Sequence, residues 1–261
     1  NPWNDWANSA EGENGEILSG WRLRNSNKAA RIPEKHSETA FMTNRAMEFI
    51  EESKDKPWFL HLSYIKPHWP YMAPAPYHNM YSANEFYPVH RNDAERNNDH
   101  PVYKAFMENS ISKTFSKDEV RNTVLSGYMG LIKQIDDNLG RLFKFLEDAG
   151  HMEDTMIVFT SDHGDYHGDH WLGEKELFHE QSVRVPMIIY DPSEHANKTR
   201  GTKEKRFIEA IDLLPTFLDA VESPVSKHRL EGNSLMPVIK GEDLKNWKDF
   251  CLLYTSDAAD E

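Results

Sequence analysis

Between Asp118 and Ala149 the apolar residues fall three and four apart: Val120, Val124, Leu125, Tyr128, Leu131, Ile132, Ile135, Leu139, Leu142, Phe143 and Leu146. That spacing is one face of an α-helix and predicts a helix over residues 118–149, stopped by Gly150. A second helix is predicted from Ser37 to Ser53. Ala40, Phe41, Met47 and Ile50 keep roughly the same period there, and Ser37 is placed to cap the first turn. Trp58–Tyr64, Thr155–Thr160 and Pro186–Tyr190 are different. They are short, mostly apolar runs without helical period, and they read as strands buried on both faces. Residues 205–221 predict a helix broken or begun near Pro215. Helices alternating with such strands imply an α/β fold, a sheet covered on both faces.

The polar stretches complete the layout. Residues 1–34, with Gly12, Gly15 and Gly20, read as loop. Four prolines between Pro67 and Pro76 exclude helix and leave a stiff extended loop after the first strand. Residues 82–117 read as an insertion with short helical pieces.

Composition narrows the class. The 261 residues carry a net charge of −13, which argues against a nucleic-acid binder, since that needs a cationic face. No apolar run approaches the roughly 20 residues of a membrane span, and no leader pattern is visible at Asn1. The one cysteine, Cys251, opens an eleven-residue tail, 251–261, that resembles translated transposon-adapter sequence from a DNA library. That tail is expected to be foreign, with 1–250 as the natural segment.

In open α/β sheets ligands bind beyond the carboxyl ends of strands. The strand ending at Thr160 runs into Asp162-His163-Gly164-Asp165-Tyr166-His167-Gly168-Asp169-His170. Asp162 offers a hard oxygen and His163 an imidazole nitrogen, a mixture that suits Mn²⁺, Zn²⁺ or Fe, and Ca²⁺ less obviously. Gly164 is expected to give the bend that turns both toward one cation. Asp165, His167, Asp169 and His170 cannot all ligate the same ion, and each alone reads as a supporting or surface group. Lys175 could bind an anionic substrate near such a cation. His68, braced by Pro67 and Pro70, could protonate a leaving oxygen. Arg184 reads as ordering the start of the strand at Pro186.

Together these segments resemble the C-terminal half of the sulfatase and phosphonate monoester hydrolase branch of the alkaline phosphatase superfamily. The resemblance rests on Phe59-Leu60-His61-Leu62 with Pro67-His68-x-Pro70; Thr160-Ser161-Asp162-His163-Gly164-Asp165; and Gly168-Asp169-His170 with Gly173-x-Lys175. It continues through Arg184-Val185-Pro186-Met187-Ile188, Ile211-Asp212-Leu213-Leu214-Pro215-Thr216, and Gly232-Asn233-Ser234-Leu235-Met236-Pro237 with Gly241. The run from His68 to His78 looks closest to phosphonate monoester hydrolases and broad-range arylsulfatases.

The resemblance implies an alkaline-phosphatase-like sheet sandwiched by helices, with its N-terminal half missing. It implies Asp162 and His163 as ligands of a divalent metal, Ca²⁺ or Mn²⁺. It puts His68 and Lys175 on the transferred sulfuryl or phosphoryl group or its leaving oxygen. The family's formylglycine nucleophile matures from Cys-x-Pro/Ala-x-Arg, which is absent here, so it is expected upstream of Asn1, and the chain alone is expected to be inactive. The implied partner is a small anionic ester, and resemblance to phosphonate monoester hydrolases favours the cytoplasm. A phosphodiesterase or phosphomutase relative with a Ser or Thr nucleophile, and a non-catalytic binding relative, stay as alternatives. Sulfate against phosphonate or phosphate ester, and monomer against homo-oligomer, stay open. Strands such as 58–64 and 155–160 are expected to leave sheet edge and apolar surface exposed without N-terminal neighbours.

Overall fold

The computed structural model describes residues 26–82, 85–97, 100–224 and 229–250. Most of the predicted N-terminal loop and the whole 251–261 tail with Cys251 lie outside the described residues. The chain divides into two compact units, Asn1–Ala149 with Gly164–Ser182 and Gly150–His163 with Val183–Glu261.

The first unit is built on helices. α1 (Glu38–Ser53) starts as predicted, with the Ser37 hydroxyl oxygen accepting from the Ala40 amide at 3.2 Å. The predicted insertion holds α2 (Pro101–Glu108) and α3 (Ser110–Phe115). The long periodic stretch is α4 (Asp118–Asp148), and Gly150 lies just beyond it with φ +76°. Val120, Val124, Leu131, Ile135, Leu142 and Leu146 are its buried apolar stripe. Tyr71 and Phe115 pack on Val120 and Val124 to form a core cluster.

The same buried face of α4 also carries Ser126, Gly127, Gly130, Gln134 and Asn138. Gln134 Nε2 donates to Ser37 Oγ at 2.7 Å, tying α4 to the cap of α1. Gly127 and Gly130 let backbone pass against the helix: a Cβ at Gly127 would overlap the Tyr71 carbonyl oxygen, and one at Gly130 that of Tyr77. Alanine is worth about 1 kcal/mol over glycine within a helix, whereas overpacking costs about 1–3 kcal/mol. Because the clashing atoms are backbone, the cost should win. Gly127→Ala should lower the thermal midpoint, and an unchanged or raised midpoint would show that the Tyr71 segment yields freely.

Residues 57–65 correct an expectation. Neither strand nor helix forms there among the described residues. Trp58, Leu60, Leu62 and Tyr64 are half-buried, while Phe59 is 67% and Ile65 46% exposed. A strand needs a neighbour for its N–H and C=O groups, and no ladder reaches this one among the described residues.

The second unit contains β1 (Ile157–Thr160) and β2 (Met187–Tyr190), paired antiparallel with Ile157 opposite Tyr190 and Thr160 opposite Met187. These strands were expected to be covered on both faces. Among the described residues they pair only with each other, and Phe159 and Ile188 are exposed. The expected exposure of apolar sheet surface is thus observed.

The helix expected over 205–221 is shorter. A 3₁₀ turn, Ala210–Asp212, leads into α5 (Leu213–Ala220). Pro215 falls in its first turn, where a missing N–H removes no helical bond. The fully buried Asp212 organises this unit. Its carboxylate accepts from Lys248 Nζ at 2.6 Å and from the amides of Glu209 and Asn233, each at 2.8 Å. Thr216 Oγ1 accepts from the Leu235 amide at 2.8 Å, just before α6 (Met236–Ile239). The Ile211–Thr216 and Gly232–Pro237 motifs therefore brace each other.

Candidate functional site

In the second unit the chain leaves β1 through a tight polar turn. Thr160 Oγ1 donates to the Pro186 carbonyl at 2.9 Å, and Ser161 Oγ to that of His163 at 2.9 Å. Asp162 Oδ1 accepts from the His163 amide at 2.9 Å. Its Oδ2 lies 3.5 Å from His163 Nε2, with the Asp162 side chain 77% exposed. Two donors bound to one cation at ordinary metal–ligand lengths lie about 3.0–3.5 Å apart. The pair therefore fits one divalent ion. Among the described residues no three His, Cys, Asp or Glu side chains converge on a common point.

Gly164 plays a different part from the one expected. Its φ is not positive. A Cβ there would overlap the Gln181 carbonyl oxygen, and its amide donates to the Ser182 carbonyl at 2.7 Å. Close approach, not backbone freedom, demands glycine.

In the first unit, His68 stands exposed on the proline loop. Its Nδ1 is 2.8 Å from the Trp69 carbonyl oxygen, and its ring stacks on the Trp69 ring. Engagement of Nδ1 fixes the ring and leaves Nε2 to meet a ligand. Farther along the loop, Tyr71 donates its hydroxyl to Asp165 Oδ2 at 2.5 Å. Burial works against the Asp165 charge, but His167 and the Tyr71 hydroxyl outweigh it and hold the carboxyl below the usual range. The same burial and the Asp165 charge push the Tyr71 hydroxyl up, so it remains the donor.

The other residues of the Asp/His run take supporting places. The His167 ring centroid is 4.3 Å from that of Tyr128 and 5.2 Å from that of Tyr71. Asp169 accepts from the His90 amide at 2.9 Å, and His170 Nδ1 meets Glu95 Oε1 at 2.9 Å. Lys175 is half-buried in a contorted stretch: His167, His170, Trp171, Glu174 and Glu176 all have positive φ. Non-glycine residues in that region are uncommon and cost energy, and they cluster where a loop must be held in one shape. Nothing in the hydrophobic pattern announces this.

Glu174 was also invisible in the sequence. Burial first, then the charges of Glu176 and Asp165, raise its carboxyl to about 7, while Lys175 opposes the shift. Between 4.5 and about 7 the folded protein keeps a proton that the unfolded chain releases. Stability from this group is therefore present at the acid end and lost as pH rises through that window. Glu174→Gln should flatten the corresponding slope in thermal unfolding measured across it. An unaltered slope would mean that Glu174 ionises normally.

Comparison with known proteins decides the family. The sulfatase family model matches residues 3–223. This chain belongs to the sulfatase family. Over 237 residues it is 35% identical to the multifunctional alkaline phosphatase superfamily protein PehA of Trinickia caryophylli, covering 85% of this chain and 45% of that protein. It is 31% identical to an arylsulfatase of Clostridium perfringens, covering 81% and 44%. Among solved structures, the phosphonate monoester hydrolase of Agrobacterium radiobacter superposes with a TM-score of 0.78 at 29% identity, covering 86% of this chain and 46% of that one. The enzyme from Silicibacter pomeroyi gives 0.79 at 28%, covering 95% and 51%. The fold is thus alkaline-phosphatase-like, as the sequence motifs implied. This sulfatase chain spans less than half the length of the two curated relatives.

Proposed function

We propose that the full-length sulfatase to which this chain belongs is a metal-dependent hydrolase of sulfate or phosphonate and phosphate esters. The observation that carries the reading is the Asp162–His163 pair, an oxygen and a nitrogen 3.5 Å apart just beyond β1, in a chain of this family. Asp162 and His163 would hold a divalent ion, Ca²⁺ or Mn²⁺, together with ligands from outside this chain. Such an ion supplies positive charge to a nucleophile and to the transferred group. The nucleophile in this reading is a formylglycine that is not among these 261 residues.

The chain's own residues divide the remaining work. Lys175 neutralises the non-bridging oxygens of the transferred group. In its imidazolium form, with the Nδ1 proton given to the Trp69 carbonyl, His68 donates the Nε2 proton to the leaving oxygen and becomes neutral. The names of the relatives support both ester classes, so the substrate is best described as a small anionic monoester.

The test is turnover by the full-length protein of 4-nitrophenyl sulfate and of phenyl phenylphosphonate, before and after chelation and again after Mn²⁺ or Ca²⁺ is restored. Metal-dependent hydrolysis of either ester supports the reading. Tight metal binding without turnover of either would turn it toward a binding protein. Reading the upstream gene sequence for Cys-x-Pro/Ala-x-Arg tests the nucleophile separately.

A further inference from the structure

Lysine is almost never fully buried without a partner, yet Lys66 is only 8% exposed. Its Nζ donates to the backbone carbonyls of His68 and Pro70, both at 3.1 Å. One acceptor is the carbonyl of the candidate proton donor itself, and the other lies two residues farther along the same loop. Pro67 and Pro70 have no N–H, so the loop has few amides with which to brace itself. Its local backbone bonds include His68 N to the Ile65 carbonyl at 3.1 Å and Met72 N to that of Pro70 at 2.8 Å. The ammonium supplies donors that the prolines cannot.

A cavity of about 30 Å³ adjoins Lys66, lined among others by Ser37, Glu38, Leu131 and Gln134. That is room for about one water. Burial lowers the Lys66 amine to about 8, with Glu38 alone opposing the shift. Such an amine has given up hydration to stay where it is, and the two carbonyls are what it gains.

We propose that Lys66 is a positioning residue for His68, holding the proline loop from beneath so that the imidazole meets the leaving oxygen. The proposal rests on the reading of His68 as the proton donor. Lys66 itself touches no substrate. Its removal should mimic a partial loss of His68 rather than add an independent defect.

The experiment uses the full-length protein with Lys66→Met, His68→Ala and the double variant. kcat/KM is read on an alkyl ester and on the matching nitrophenyl ester. A misplacement of about 1 Å can cost on the order of 10²-fold, so Lys66→Met should lose about ten- to a hundredfold on the alkyl ester and little on the nitrophenyl ester. The double variant should be no worse on the alkyl ester than His68→Ala, because the lysine acts through a group already gone. Lys66→Gln, which keeps an N–H donor, should recover part of the loss and serves in the same matrix if Lys66→Met does not fold. Equal losses on both esters, or losses that multiply in the double variant, would overturn the positioning role. If His68→Ala itself shows no leaving-group dependence, the reading of His68 fails instead.

Discussion

His68→Ala in the full-length protein should lower kcat/KM on alkyl esters by about 10²–10⁴-fold, the range general acid catalysis supplies. It should cost far less on a nitrophenyl ester. The argument is chemical: an alkoxide is a poor leaving group and needs the proton, whereas nitrophenolate departs unaided. Geometry supports it, since Nδ1 is tied to the Trp69 carbonyl and the ring lies against Trp69. Lys175→Ala should behave differently, with similar losses for both leaving groups, because the non-bridging oxygens are charged in every substrate. Equal losses for His68→Ala would leave it as a charge-binding group. A leaving-group-dependent loss for Lys175→Ala would exchange the two assignments.

Asp162→Asn should remove metal and activity together. A carboxylate gives a divalent cation a full charge and a hard oxygen, and an amide replaces only part of that. The side chain is 77% exposed, and its bonds are confined to the adjacent turn, so the substitution should barely alter stability. Metal content by elemental analysis, turnover and the thermal midpoint in metal-free buffer separate the effects. Metal content and turnover should fall while the metal-free midpoint stays put. Full occupancy with unchanged turnover would remove Asp162 from the ligand set.

The sequence made some layers legible because their physics is local. The period of α4, the Ser37 cap and the turn after β1 each depend on a few neighbouring residues, and each appears where expected. The ligand candidates were legible for the same reason: Asp162 and His163 are adjacent. What escaped was set by distant contacts. Trp58–Tyr64 has the composition of a strand, but a strand exists only with a partner. Lys66 looks like any solvated lysine until the loop folds over it. Gly164 invited an argument about backbone freedom, and only the position of Gln181 shows that space is the issue. The left-handed residues around Lys175 follow no residue pattern, since Glu and Trp rarely adopt that conformation.

The two glycines on the buried side of α4 also bear on how mutational data for this protein would read. Backbone of the proline loop lies directly on Gly127, and that of the turn at Tyr77 on Gly130. The missing methyl groups thus set the height at which the His68 loop rides. A methyl added at Gly127 would lift Tyr71, and through it the anchoring of the loop. In a saturation screen scored by turnover, position 127 would therefore rank beside active-site residues, although it meets no substrate atom. Paired scoring of abundance and turnover would tell such a spacer position from a chemical one, because only the spacer lowers both.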